Sequence, residues 1–187
     1  GGIYSWHNIE TGRSVGFRGF SDSLSTSYSA NTAQIFAETG YRFDTGAASF
    51  EPYAGIAHVR HATNGYSETG AEAALTSADA VLNSTFTTLG LRAETEVEIG
   101  DNATARLSGG IGWRHAFGSV TPTTVHSFAG GSDFTVAGTP IARDALTLNM
   151  GADIALSEMA TLGVSYSGQI ANNTADHGLK LDFSVAF

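Results

Sequence analysis

The feature of this sequence that most constrains its fold is a strict alternation of apolar and polar residues. In the segment Thr87 to Val97 the odd positions read Thr, Leu, Leu, Ala, Thr, Val and the even positions read Thr, Gly, Arg, Glu, Glu. Successive side chains of a β-strand point to opposite faces of the sheet, whereas an amphipathic helix repeats every 3.6 residues. The segment therefore predicts a strand with one apolar and one polar face.

The same alternation recurs along the chain and predicts eight strands. Four further segments are as clear as the first, namely 33–43, 105–113, 146–156 and 179–187. Three are weaker, namely 3–12, 50–61 and 161–170. Because alternation with one apolar face is typical of antiparallel sheets, we expect an all-β antiparallel fold.

The links between these segments alternate in length. Short, turn-like links lie at 44–47, 100–102 and 157–160, and long links rich in Ser, Thr, Gly and Asn lie at 13–27, 63–84 and 119–142. Within the second long link, residues 71–80 have a helix-favouring composition that predicts a short helical turn. In an up-and-down sheet this order places every short turn at one rim, which is typical of outer-membrane barrels.

Composition separates the two folds that fit the pattern. A soluble β-sandwich buries its apolar face and exposes its polar face to water, whereas a membrane barrel turns the apolar face to lipid. Only 14% of the residues are charged and Lys occurs once, although soluble domains carry about 25% charged residues. Aromatic residues also cluster near strand ends, as interfacial girdles do. These features favour an up-and-down transmembrane β-barrel over the sandwich.

Charge and cysteine content exclude other classes of function. The formal net charge is −9, which argues against a nucleic-acid partner because such binding relies on Lys and Arg. The chain has no Cys, so it can form neither a disulfide nor a thiolate metal site.

Nothing local in the sequence predicts catalysis or a metal site. The chain lacks a G-x-S-x-G nucleophile motif. His58 and His61 lie three residues apart on a predicted strand, so they point to opposite faces and cannot chelate one ion together. We therefore predict no catalytic residue, no metal and no cofactor.

The best candidates for a functional surface are the charged residues that we place on the polar, lumen-facing side of the strands. They are Glu38, Arg42, Arg60, Arg92, Glu94, Glu96, Arg106, Arg114, Asp153, Lys180 and Asp182. Such residues either form a pore wall that contacts a translocating segment or pair with one another to satisfy buried charge. The sequence leaves both readings open.

Six stretches that together cover most of the chain carry a resemblance to a known family. They are YSWHNIETGRSVGF, YSANTAQIFAETGYRF, FEPYAGIAHVR, FTTLGLRAE, FTVAGTPIARDALTLNMG and LKLDFSVAF. In this order they resemble the C-terminal translocator β-domain of autotransporters, the type V secretion proteins of Gram-negative outer membranes. The final stretch resembles the signal read by the barrel assembly machinery, with the residues Leu179, Leu181, Phe183, Val185 and Phe187.

The resemblance implies a non-enzymatic outer-membrane barrel that anchors the protein and supports translocation of a passenger domain. Its implied partners are outer-membrane lipid, the barrel assembly machinery and its own passenger. A complete family domain resembles a twelve-stranded barrel with a helix in its pore, and this chain matches about its last eight strands. We therefore expect residues 1–187 to be a β-barrel domain lacking its first strands and pore helix. The alternative is a compact eight-stranded outer-membrane barrel that acts as an anchor or as an adhesin through its long loops.

Overall fold

The computed structural model describes residues 1–99, 103–157, 159–172 and 174–185. All regular secondary structure in these residues is β-strand. The strands are β1 Gly2–Phe17, β2 Phe20–Gly40, β3 Phe43–Asp44, β4 Ser49–Thr63, β5 Tyr66–Ser67, β6 Leu75–Ser77, β7 Ala80–Ile99, β8 Ala103–Gly118, β9 Thr123–Phe128, β10 Phe134–Ala137, β11 Asp144–Ser157, β12 Ala160–Ala171 and β13 Thr174–Val185. Within these described residues we find no helix of sufficient length and apolar character to span a membrane.

The main sheet contains the eight long strands that the alternation predicts. Their order is β1-β2-β4-β7-β8-β11-β12-β13, and β3 pairs with β4 beside this path. The eight strands are 12 to 21 residues long, and about 9–11 residues suffice to cross a bilayer. Within the described residues β1 neighbours only β2 and β13 neighbours only β12, so the sheet is not closed. The predicted all-β antiparallel fold is confirmed.

The long link predicted over 13–27 is wrong, because this stretch is a β-hairpin. β1 and β2 pair without a break from Gly2 opposite Ile35 to Phe17 opposite Phe20. Gly19 has a φ of +87°, a conformation that glycine adopts without strain, and it helps close the two-residue turn. The many Ser and Thr residues therefore lie in a strand ladder, where β-branched Thr is favourable, and not in a loop.

The chain divides into two compact units, which are described separately. Unit 1 comprises Gly1–Phe36, Ala57–Thr85 and Phe117–Ile141. In it, the two remaining long connections form a second sheet of four strands in the order β10-β9-β6-β5. The predicted helical turn over 71–80 is replaced by a turn followed by β6, which pairs with both β5 and β9. Pairing with distant strands outweighs the local preference of a short Ala-rich segment, since isolated helices of this length are marginal.

Unit 2 comprises Ala37–Ile56, Phe86–Ala116 and Ala142–Phe187. β8 pairs with β11, β11 with β12 and β12 with β13, each in antiparallel register. Two of the three predicted short turns, at 100–102 and 157–160, include residues that lie outside the described ones. The third, at 44–47, is closed by a hydrogen bond from Thr45 N to Ala48 O of 2.9 Å.

Large apolar side chains are exposed on one face of the main sheet, whereas a soluble protein buries them. We call the face with Glu38, Glu51 and Arg92 the polar face and the other the apolar face. Large apolar side chains are exposed on the apolar face, among them Ile35, Ile56, Leu89, Ile111, Met150, Leu162, Leu179 and Phe183. In the described residues no large side chain is fully buried. An exposed apolar surface of this extent marks contact with a membrane or another apolar partner.

Candidate functional site

The polar face of unit 2 is built around one tyrosine. β4, β7 and β8 are neighbours in the sheet, and Tyr53 of β4 lies over Gly90 of β7 and Gly112 of β8. A Cβ atom added to Gly90 would lie 2.5 Å from the Tyr53 ring, and one added to Gly112 would lie 2.8 Å from its hydroxyl oxygen. The glycines therefore provide the space in which the buried Tyr53 packs flat on the neighbouring strands.

Arg92 lies on this ring and connects two carboxylates. Its Cζ is 3.8 Å from the centroid of the Tyr53 ring. Its Nη1 and Nη2 donate to the two carboxylate oxygens of Glu38 at 2.7 and 2.9 Å, and Nη1 also donates to Glu51 Oε1 at 3.1 Å. The structure thus brings together the predicted residues Glu38 and Arg92 and adds Glu51, which the sequence did not single out. It also adds Tyr53, which the sequence places among the strand-end aromatics and which is buried on the polar face.

A second chain of ion pairs follows the same face. Arg106 Nη2 lies 3.0 Å from Glu96 Oε1, and its Nε lies 3.6 Å from Glu94 Oε1. Arg42 Nη2 lies 3.8 Å from the same Glu94 oxygen, and its Nε lies 3.4 Å from Asp44 Oδ1. All of these residues except Asp44 belong to the predicted set, and they form a shared network in which Glu94 lies between two guanidinium groups.

The remaining acidic residues of the predicted set lie beside small side chains. Asp153, on β11, is opposite Arg106 of β8 and Gly163 of β12. Asp182, on β13, is opposite the same Gly163. Lys180 Nζ is 2.8 Å from Asp182 Oδ1. Together with Ser and Gly residues these acids border a cavity of about 520 Å³ in unit 2. The face therefore combines charge with open space.

Two predicted residues fall outside these networks. Alternation along β4 puts the exposed Arg60 on the face opposite Glu51 and Tyr53, together with Ile56. Arg114 does lie on the polar face, opposite the buried Ala145, with its Cζ 5.3 Å from the Phe86 ring centroid.

The histidines at 58 and 61 bind different partners. His61 Nδ1 is 2.9 Å from Thr32 Oγ1, and His58 Nδ1 is 2.9 Å from Thr85 Oγ1. Among the described residues there is no group of three or more His, Asp or Glu side chains that could hold a metal ion.

The residues that resemble an assembly signal lie on β13, an edge strand of the main sheet. Leu179, Leu181, Phe183 and Val185 alternate along one face and are all exposed. Phe187, the last residue of the predicted signal, lies outside the described residues.

In unit 1 a group of charged residues that the sequence did not single out fixes the connection between β4 and β7. We call Arg13, Asp22 and Glu68 the loop clamp. Asp22, which is only 7% exposed, accepts hydrogen bonds from the backbone N–H groups of Ala71 and Ala73 at 3.1 to 3.2 Å. One buried carboxylate thus satisfies two backbone donors of the turn that precedes β6.

The other half of the loop clamp is a bidentate ion pair. Arg13 Nε donates to Glu68 Oε1 at 2.8 Å and Nη2 donates to Glu68 Oε2 at 2.5 Å, while Nη2 also donates to Ala73 O at 2.6 Å. The hydrogen bond from Arg13 holds the pKa of Glu68 below its ordinary value, an effect that desolvation opposes and the Leu75 N–H reinforces. Arg13 is 55 positions from Glu68 and Asp22 is 49 positions from Ala71, so no local pattern reveals these pairs.

An antiparallel sheet with an exposed apolar face and a charged polar face is the pattern typical of outer-membrane β-barrel proteins. The family described as "Autotransporter beta-domain" matches residues 1–167. Two similar relatives are both named "Extracellular serine protease" from Serratia marcescens, and they are 34% and 33% identical over 188 and 189 residues. The alignments cover 100% of this chain and 18% of each relative. The chain belongs to the autotransporter β-domain family, and it spans about a fifth of the length of these relatives.

Proposed function

We propose that this chain forms the wall of an outer-membrane translocator that anchors the protein and lets a passenger domain reach the cell surface. The observation that carries the proposal is the inverted distribution of side chains in the main sheet. Exposed apolar residues such as Ile56, Leu89 and Ile111 suit lipid, and the charged polar face suits a hydrated path. Membership of the autotransporter β-domain family supports the same role.

The open sheet favours the larger of the two predicted barrels. In the described residues β1 and β13 each leave one edge unpaired, and an unpaired edge in a bilayer costs several kcal/mol per unsatisfied backbone group. We propose that further strands of the same protein complete the barrel between these edges. The relatives have ample additional sequence for this, since the matched region is 18% of their length.

The proposed role of the chain itself is structural, and we assign it no catalytic residue. The relatives are named as proteases. We propose that any such activity of the whole protein resides in sequence outside these residues. Its outer-membrane partners would be lipid on the apolar face and the barrel assembly machinery on β13, where Leu179, Leu181 and Phe183 are exposed along an edge.

The test is to express the full-length protein in a Gram-negative host and to measure passenger exposure by adding protease to intact cells. Wild type should show a passenger that is shaved from the surface and a barrel that is protected in the membrane. Phe183→Asp, which puts a charge on the apolar face of β13, should abolish both, whereas Ser184→Asp on the opposite face is the matched control. Equal passenger exposure in cells whose barrel residues 1–187 are deleted would contradict the proposal.

A second candidate function is surface binding by the four-stranded sheet of unit 1. The observation that favours it is β10, whose residues Phe134 to Ala137 are all exposed and pair only with β9 among the described residues. Free edges of this kind can accept an additional strand. Replacing residues 134–137 by Lys-Pro-Lys-Pro should then remove adhesion of whole cells to a host surface while passenger exposure stays unchanged; unchanged adhesion would argue against this role.

A further inference from the structure

Arg114 is a half-buried cation that lacks a counter-ion in the part of the chain that the structure describes. It shares the polar face of β8 with Gly112 and Ala116 and stands opposite Ala145 of β11. Among the described residues, the Phe86 ring is its aromatic contact, with the ring centroid 5.3 Å from Cζ. Gly112, Ala116 and Ala145 are small and uncharged and Phe86 is apolar, so the guanidinium gives up water without gaining a carboxylate.

The other predicted arginines of this face have carboxylate partners. Arg42, Arg92 and Arg106 each lie within 4.0 Å of at least one carboxylate oxygen. The carboxylate nearest to Arg114 in the sequence of β11, Asp144, is held on the apolar face by Trp113 Nε1 at 3.0 Å and His115 Nδ1 at 2.7 Å. Alternation along β8 places both of those partners on the side away from Arg114.

Among the described residues, Arg114 has no carboxylate beside it to complete an ion pair. A cation–π contact offsets only part of the hydration that a guanidinium loses on burial, whereas a hydrogen-bonded carboxylate offsets more. A guanidinium also offers parallel N–H donors that match a carboxylate in a bidentate geometry. The missing partner is therefore an anion, and the polar face is the side from which it must come.

We propose that Arg114 binds an Asp or Glu side chain of the passenger segment as that segment passes along the polar face. This inference rests on the proposed translocator function and names a residue that holds the translocating chain. A small free anion fits less well, because a single partly exposed guanidinium holds a dilute ion weakly. A carboxylate on a tethered polypeptide is delivered at high effective concentration.

The test uses photocrosslinking in the full-length protein in the outer membrane of a Gram-negative host. A benzophenone analogue of phenylalanine replaces Phe86, which leaves Arg114 intact beside it. Ultraviolet irradiation during translocation should link this position to a passenger peptide with Asp or Glu within a few residues of the crosslink, as read by mass spectrometry. Arg114→Gln should reduce that product about tenfold, and Arg114→Lys should restore most of it. Arg60→Gln, on the opposite face, is the control that should change nothing.

Each outcome separates this inference from the proposed function. If wild type displays its passenger but the crosslinked peptide lacks acidic residues, or if Arg114→Gln leaves its yield unchanged, the inference fails and the translocator function stands. If wild type never displays a passenger, the proposed function fails with it. Heat-modifiable gel mobility checks folding, which Arg114→Gln should preserve because no ion pair is lost. Should it fold poorly, Arg114→Glu combined with Arg in place of the mapped acid must restore the crosslink.

Discussion

Acidic side chains serve different purposes in the two units of the chain. In unit 1, Asp22 is buried and binds backbone N–H groups, so its charge fixes the path of a connection. In unit 2, Glu38 and Glu51 bind the side chain of Arg92 and keep 45% and 32% of their side-chain surface exposed. One unit uses carboxylates to hold main chain, and the other uses them to neutralise arginines on an open face.

The difference indicates where charge stabilises this protein most. Hydrogen bonds from backbone donors to a buried charged acceptor contribute about 1.5–3 kcal/mol, whereas exposed ion pairs contribute about 0–1 kcal/mol. The conformation of the unit 1 connection therefore depends heavily on one residue. The polar face of unit 2 depends first on packing of Tyr53 against glycine and only second on its ion pairs.

The largest expected effect is that of Asp22→Asn. The substitution removes the charge and replaces one carboxylate oxygen by an NH2 group, so the Ala71 N–H, which contacts both oxygens, then faces a second donor. We expect local opening of this turn to become easier by about 2–3 kcal/mol. Hydrogen exchange should show these amides losing protection by roughly fiftyfold. Asp133→Asn, at an exposed position of the other connection, should leave them unchanged, and equal protection in Asp22→Asn would mean that the turn is held by other contacts.

The next effect is that of Gly90→Ala, which tests the packing half of the comparison. The new Cβ would lie 2.5 Å from the Tyr53 ring and 2.6 Å from the backbone oxygen of Ile111, and a backbone atom within the sheet cannot move aside. We expect a loss of about 2 kcal/mol in unfolding free energy, measured in detergent by circular dichroism during denaturation. Gly109→Ala is the matched control on the neighbouring strand, since nothing lies within 4 Å of its Cβ. Similar losses in both variants would show that the effect is not steric.

A smaller effect is expected for Arg92→Gln. It removes the two carboxylate partners and the contact with Tyr53, but all the charged groups are partly exposed. Because solvent screens such pairs, we expect a loss of about 1 kcal/mol in the same denaturation experiment. Lys180→Gln, which breaks the more exposed pair with Asp182, should cost less than about 0.5 kcal/mol. A loss for Arg92→Gln greater than that for Gly90→Ala would reverse the order of packing and charge on this face.

The faces and the eight strands follow from the sequence because alternation is a local property. The phase of a strand is harder to predict where large apolar residues occur on both faces. In β4, Phe50 and Ile56 lie on one face and Tyr53 lies on the other. The alternation therefore gives the wrong face for Arg60 and no reason to select Glu51. The structure resolves the phase through the contact of Tyr53 with Gly90.

The loop clamp could not be predicted for a different reason. Asp22 and Glu68 look like ordinary polar residues of Ser- and Thr-rich stretches, and their partners come from distant parts of the chain. Only the pairing of β1 with β2, and of the short β5 with β6, brings these segments together. Long-range contacts of this kind carry no periodic signal in the sequence.

The last effect concerns Glu68 and the dependence of the loop clamp on pH. Arg13 lowers the pKa of Glu68 from its ordinary value of 4.5, so its ion pair contributes full stability above that value and loses it as pH falls through the lowered folded-state pKa. Exchange at the Leu75 amide, which donates to Glu68 Oε2 at 2.9 Å, should therefore accelerate below about pH 4.5 after correction for the intrinsic rate. The change should be about fivefold or less, because Arg13 keeps its hydrogen bond to Ala73 O when Glu68 is protonated. In Glu68→Gln the Leu75 amide should exchange at the faster rate throughout, and a pH dependence that persists in this variant would contradict the assignment of the effect to Glu68.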